Sequence, residues 1–545
     1  MGALHFRTDS QLLLTVGALY DRAAFAIKWG NRAVTDRAYS GIVCAVVLMA
    51  LLPGVAAAQT ATTDVNKRGV DGSTPLQWAV FHDDVAEAQR LLKAGANVKL
   101  ANNYGASPMT LASEIGNPAM IKLLLDAGAD ANSANLDGQT ALLAVARTGN
   151  VEAADLLVKA GAKVDARENF GGQTALMWAS ARRLPRMMQY LISKGADVNA
   201  RGTARDYQRH VQAEGRPKNL DSGGFTPLLY AARENCMECV KVLLGAGADI
   251  NLPDPDGVSP LLLSIMNANW DISKHLILAG ADVNQWDIFG EAPLFTVLGN
   301  HTQAGGGKGG AYDPLNQTTG TQIVHLLLER GANPNMQLFF RPANLNGVTN
   351  TRGSTPLIRA VAAADMEMIK LLLANKADAT LSLADQQTTI IAAISGRASE
   401  TQAIEIVRMM KEAGADINTI AQVNHRYDSR GGTALHYAAR KRWKEMIKTL
   451  ASYGINMNAK DQDGLTALDY TQARGYLGFM DLQTPVYAAE ATLLRELGAT
   501  EMLSKNPDWP ILGPPQGIEE DIWPLGDSRS YPLFFTHVAN ASKGN

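Results

Sequence analysis

The residues with the plainest chemical potential are two thiols in close sequence, Cys236-Met237-Glu238-Cys239. This spacing can support thiol–disulfide exchange, a soft metal or, with a following His, haem attachment. Val240 follows, so the haem pattern is absent, and two soft ligands do not complete a metal shell. A thioredoxin-like role would need a strand feeding a helix, which the helical pattern around the pair does not supply. In an oxidising compartment these two thiols would form a short local disulfide stabilising the fold by only about 2 kcal/mol. A second candidate is Gly305 to Gly310 around Lys308, which has the look of a phosphate loop. It fails because Gly309 stands where Ser or Thr must bind magnesium, and no strand precedes it. The nine His residues are scattered without metal-ligand spacing. No nucleophile–base pair or paired-carboxylate motif stands out. The expectation is therefore a chain with no catalytic residue, no cofactor and no metal.

The elements that would position any functional group follow from an internal repeat. A Thr-Pro-Leu tripeptide, in altered forms, begins at Thr74, Ser107, Thr140, Thr174, Thr226, Ser259, Ala292, Thr355, Thr388, Thr433 and Thr466. Six of the ten gaps are 33 residues, and the three longest exceed that by 19, 30 and 12, which reads as insertion into a fixed register. A Gly lies two residues before most of these positions, as in Gly72, Gly105, Gly138 and Gly257. An Asp or Asn lies three before the Gly, as in Asn102, Asn135, Asn169, Asp254 and Asp287. Asp or Asn opens a turn through its side-chain oxygen, Gly accepts positive φ within it, Thr caps a helix, and Pro fits the first helical turn. A second helix with an apolar ridge follows, as in Ile121 to Leu125, and stops at Gly-Ala-Asp, as in Gly128-Ala129-Asp130.

In these residues the chain closely resembles the ankyrin-repeat family from about residue 65 to 500. The resemblance implies an all-α solenoid of about eleven helix-turn-helix units, curved, with β-turn fingers on its concave side. Each unit would bury its ridges only against its neighbours, so stability is a sum of neighbour terms. The family's His after Thr-Pro-Leu supports local hydrogen bonding, but here it is present only as His436; Gln77, Leu143, Met177, Leu229 and Asp469 replace it elsewhere, so those units are expected to be less rigid. The unit at Thr388 lacks both Gly and Pro. Fingertips lie between the Asp/Asn and the Gly. Those carrying Tyr104, Leu136, Phe170, Ile288 and Phe289, with Trp286 adjacent, would offer apolar anchors to a partner protein, unless they pack on neighbouring fingers. Arg352 and Arg430 occupy equivalent tips and would either meet a partner carboxylate or remain solvated.

Around this array, residues 59–72 are expected to cap one end. Insertions fall near 201–220, 301–320, 336–350 and 419–430. The tail, 501–545, is rich in Trp, Phe, Tyr and Pro. Residues 41–58 form an apolar run behind Arg32 and Arg37, ending in Ala56-Ala57-Ala58. They read as a signal peptide cleaved before Gln59, as an uncleaved N-terminal anchor, or as a core helix. Either of the first two places the array in the periplasm or outside the cell, secreted or anchored to the inner membrane. With 50 basic against 53 acidic residues the chain has no charge excess for phosphate neutralisation, which argues against nucleic-acid partners. The functional expectation is a non-catalytic module binding an unidentified protein in the cell envelope. A membrane-anchored scaffold and an enzyme with residues in the insertions are the alternatives.

Overall fold

A computed structural model describes residues 64–204, 223–302, 316–338, 352–422, 431–461, 464–471 and 488–500. The apolar run 41–58, the residues 501–545 and most of each expected insertion lie outside these residues. The described residues hold helices and three isolated β-bridges, with no strand. The chain divides into two compact bodies, Met1–Gly202 and Thr203–Asn545.

In the first body the helices run in four pairs: α1 Pro75–Phe81 with α2 Val85–Lys93, α3 Pro108–Ile115 with α4 Pro118–Asp126, α5 Ala141–Thr148 with α6 Val151–Lys159, and α7 Ala175–Ala181 with α8 Pro185–Ser193. The second body holds α9 Pro227–Arg233 with α10 Met237–Gly245, α11 Pro260–Met266 with α12 Trp270–Leu278, α13 Pro293–Thr302 with α14 Gly320–Glu329, α15 Pro356–Ala363 with α16 Met366–Ala374, α17 Thr389–Ser395 with α18 Glu400–Glu412, and α19 Ala434–Arg440 with α20 Lys444–Ser452. A short 3-10 turn at Asp469–Thr471 and α21 Ala488–Glu496 stand where an eleventh pair is expected. The first helix of each pair starts where the repeat places it. Thr74, Ser107, Thr140, Thr174, Thr226, Ser259, Thr355 and Thr388 each accept a backbone N–H from three residues on. Such a cap stabilises a helix by roughly 1 kcal/mol. The unit at Thr388 folds like the others, because Gln386 takes the positive φ of 61° that Gly supplies elsewhere.

Helices this short are marginal alone, so their stability comes from packing. First helices pack on the first helices of neighbouring repeats and on their own partners. Ile121 and Leu124 of α4, Leu157 of α6 and Leu191 of α8 are fully buried.

Side-chain bridges add to this apolar stack. The residue four past each helix-stopping Gly is usually Asn or Asp, and it reaches the same stop in the following repeat. Asn132 Nδ2 donates to Gly161 O at 2.9 Å while its Oδ1 accepts from Lys163 N at 2.9 Å. Asn66 does the same with Gly95 O and Asn97 N. In the second body Asn284 bridges to Gly331 O and Asn333 N, and Asn335 to Lys376 O and Asp378 N. The side-chain amide acts here as an extra peptide group, satisfying one donor and one acceptor of an exposed helix end. Lys99 occupies the register position between Asn66 and Asn132 and has no acceptor to offer.

The residue in the family's His position also spans repeats. His436 Nδ1 faces the Thr433 N–H at 3.0 Å, so Nε2 carries the proton and donates to Leu465 O at 3.0 Å. The expectation that units without His lose this bonding is corrected at two positions. Gln77 Oε1 accepts from Thr74 N at 2.7 Å and its Nε2 donates to Ala106 O at 2.5 Å. Asp469 accepts from Thr466 N and Oγ1. At Leu143, Met177 and Leu229 apolar burial stands in the same place.

Three outcomes follow. Leu124→Ala should destabilise the first body by about 2–5 kcal/mol in chemical denaturation. Lys99→Asn should supply the missing bridge and stabilise by about 0.5–1.5 kcal/mol; an unchanged denaturation midpoint would contradict the role given to these amides. Burial holds the His436 pKa below its ordinary value, with the Leu465 carbonyl and the Asp461 and Asp469 carboxylates opposing. The unfolded chain therefore binds the proton more readily, and this contribution is present above about pH 6.5 and is lost as pH falls below it. His436→Gln, copying Gln77, should flatten the decline in melting temperature between pH 7.5 and 5.5.

Candidate partner-binding surface

Several described fingers are each held by one carboxylate or amide. Asn102 Oδ1 accepts from the N–H groups of Tyr104 and Ala106, and Asn135 Oδ1 from those of Asp137 and Gln139. Asp254 and Asp287 do the same in the second body. The finger after Asn135 corrects the sequence expectation, because Glu168, and not Asn169, closes it. The Glu168 carboxylate accepts from Phe170, Gly171 and Gln173. This is the repeat with a 34-residue gap; its finger is one residue longer, and the extra methylene of Glu spans the wider loop.

Neighbouring fingers are tied by single backbone bonds. Asn103 N donates to Asp71 O at 3.0 Å and Asn169 N to Asp137 O at 2.8 Å. In the second body Ile288 N donates to Asp256 O and Ala384 N to Arg352 O, both at 2.8 Å. The turn Gly is where the next finger lies. At Gly105, with φ of 73°, a Cβ would come within 2.6 Å of Leu136 Cγ. Gly is thus required there both for its φ and for the close approach.

The fingertips of the first body form an apolar row. Leu136 is 74% exposed, Tyr104 51% and Phe170 42%. Val70, at the same register as Leu136, is fully exposed and was not singled out from the sequence. Its signal was available, since it lies two residues before Gly72 as Leu136 lies two before Gly138. Residues 64–72 form this first finger. In the second body Trp286, Ile288 and Phe289 are half-buried, and Arg352 is exposed. Arg430 lies outside the described residues.

Behind the fingers, the first helices carry arginines laid over aromatic rings. Arg147 pairs with Glu114 and lies 5.3 Å from the centre of the Trp178 ring. Burial raises the Glu114 pKa, and the Arg147 charge draws it back down. In the second body Arg233 covers Phe225 and Tyr230, and Arg359 sits 4.5 Å over Phe295. Stacking of this kind fixes the guanidinium and leaves apolar ring edges beside a cation.

The sulfurs of Cys236 and Cys239 are in contact, with Cα atoms 5.2 Å apart, at the start of α10. No group of three or more His, Cys, Asp or Glu among the described residues is arranged to hold a metal ion. A shallow surface dip is lined by Gly431, His436, Tyr437, Arg440 and Tyr470. Its His has both ring nitrogens committed to Thr433 and Leu465, so it is placed for structure and not for proton transfer. The glycine run around Lys308 lies outside the described residues. Among the described residues no helix is long and apolar enough to cross a membrane.

Comparison with known proteins agrees with this geometry. The family of ankyrin repeats (3 copies) matches residues 39–135, 115–202, 208–296, 317–421 and 419–482. The ankyrin repeat, SAM and basic leucine zipper domain-containing protein 1 of Dasypus novemcinctus is 33% identical over 102 residues, 19% of this chain and 20% of that protein. Alpha-latroinsectotoxin-Lt1a of Latrodectus tredecimguttatus is 31% identical over 137 residues, 25% of this chain and 9% of that protein. The chain thus spans a fifth or less of the length of these relatives. Among solved structures, the ankyrin repeat domain of Bcl-3 is similar at 23% identity, covering 47% of this chain and 99% of that chain with a TM-score of 0.36. Capped helix pairs in a 33-residue register, fingers closed by Asp, Asn or Glu, and a family match along most of its length show that this chain belongs to the ankyrin-repeat family.

Proposed function

We propose that the chain is a non-catalytic protein-binding module of the cell envelope, engaging its partner through the fingertips and insertions. Ankyrin repeats are in general protein–protein interaction modules, which gives the class of function. The observation that carries the reading is the row Val70, Tyr104, Leu136 and Phe170. These are four apolar side chains at the tips of consecutive fingers, three of them two residues before the turn Gly and Tyr104 one before it, with large exposed fractions. Scattered exposed apolar residues are ordinary, whereas an aligned set on a rigid frame marks an interaction site. Rigid tips lose little entropy on binding, so more of the burial appears as affinity. Trp286, Ile288, Phe289, Arg352 and Arg430 are proposed as further contacts along the second body.

Residues 41–58 act in this reading as an export signal or as an inner-membrane anchor facing the periplasm. Either form exports Cys236 and Cys239, and they close a disulfide in the oxidising compartment.

The test is capture of partners from an envelope extract with the wild-type chain and with a variant carrying Val70→Ala, Tyr104→Ala, Leu136→Ala and Phe170→Ala. Being exposed, the four changes should leave the melting temperature within a few degrees. Loss of the captured partner, with affinity falling at least tenfold, is expected; an unchanged partner list would remove the fingertips from the function. Sequencing the N-terminus of the exported protein should find Gln59 if the signal is cleaved.

A further inference from the structure

Most second helices of the array begin with a side-chain oxygen at the cap. Asp84, Asn117, Asn150, Asp365 and Ser399 each accept a backbone N–H from the first turn. The helix α10 begins instead with sulfur. Cys236 occupies the cap position, and its Sγ accepts from Cys239 N at 3.3 Å. Cys236 retains 6% exposure and Cys239 none. The backbone around the pair does not rely on the S–S bond, since Cys236 N donates to Ala231 O at 3.1 Å and Val240 N donates to Cys236 O at 3.0 Å.

From this placement we propose that Cys236 and Cys239 form an exchangeable thiol–disulfide couple, and that the array stays folded in both states. The inference rests on the reading above that the pair is oxidised after export. Two effects favour exchange. A sulfur at a helix N-terminus is stabilised as the thiolate, and stabilising the reduced form makes a disulfide easier to reduce. The closed loop is very short, so little chain entropy favours the oxidised form. The reductant is a dithiol. One of its thiolates attacks Sγ of Cys236, the less deeply buried of the two, forming a mixed disulfide and breaking the Cys236–Cys239 bond. Cys239 leaves as a thiolate and takes up a proton. The second thiol of the reductant, losing its proton, then displaces Cys236, which is protonated in turn. The protein gains two electrons and two protons, and the dithiol becomes a disulfide.

The experiment equilibrates the full chain, without denaturant, in graded ratios of reduced to oxidised dithiothreitol, then alkylates it and weighs the peptide holding both cysteines. The expected result is one transition in which both alkyl groups appear together, with the wild-type melting temperature falling by roughly 2–6 °C on reduction. Cys236→Asn, which gives α10 the oxygen cap of its neighbours, should melt at the same temperature in both buffers. A disulfide that resists excess dithiothreitol until the chain unfolds would overturn the exchange and leave the disulfide itself standing. Two alkylated thiols at the oxidised end would instead overturn the disulfide. Equal redox sensitivity in Cys236→Asn would also overturn the proposal.

Discussion

No repeat in this chain encloses a core of its own, and every other property follows from that constraint. A pair of helices seven to thirteen residues long buries one ridge against itself and leaves the other open. Only the next repeat can close it, and its own open ridge passes the requirement on. Leu124, Leu157 and Leu191 are buried because neighbours on either side remove them from water. Burial alone would let repeats slide or rotate. The directional bonds made by Asn132, Gln77 and His436 fix how one repeat meets the next, and the finger links from Asn103 to Asp71 and from Asn169 to Asp137 carry the same alignment to the tips. The apolar row therefore inherits its order from contacts made in the body of the array.

Much of this was legible in the sequence, because the deciding signals are local. A Thr that caps its own helix, a Gly that must take positive φ, and a 33-residue spacing act within a few residues and recur. The positions at which the first helices of ten repeats start could be read from them. What escaped were the contacts that close across repeats. Nothing local tells that Asn132 will bond the helix end 29 residues on, or that Gln77 will imitate a histidine. Glu168 was missed because Asn169, beside it, fitted the usual pattern; a one-residue change in spacing transferred the role to the longer acid. Val70 was missed because the first finger was read as part of a cap. The half-burial of Trp286, Ile288 and Phe289 depends on their neighbours in space, which composition does not show.

The cysteine pair illustrates the same division. Spacing suggested that the two sulfurs could meet, but the sequence did not show that Cys236 stands in for Asp, Asn or Ser at a helix cap. That substitution puts sulfur where six other second helices carry a capping oxygen. The departure is visible because those six, at Asp84, Asn117, Asn150, Thr319, Asp365 and Ser399, all carry an oxygen at this cap.

The finger closed by Glu168 carries a lesson about how such a surface can change. A residue was added at the tip and absorbed by one methylene in the closing acid, with Asn169 N still bonded to Asp137 O at 2.8 Å. Loop length and stack alignment are thus separable. Descendants of this chain can lengthen or shorten a fingertip, and so reshape what it touches, without disturbing the column beneath.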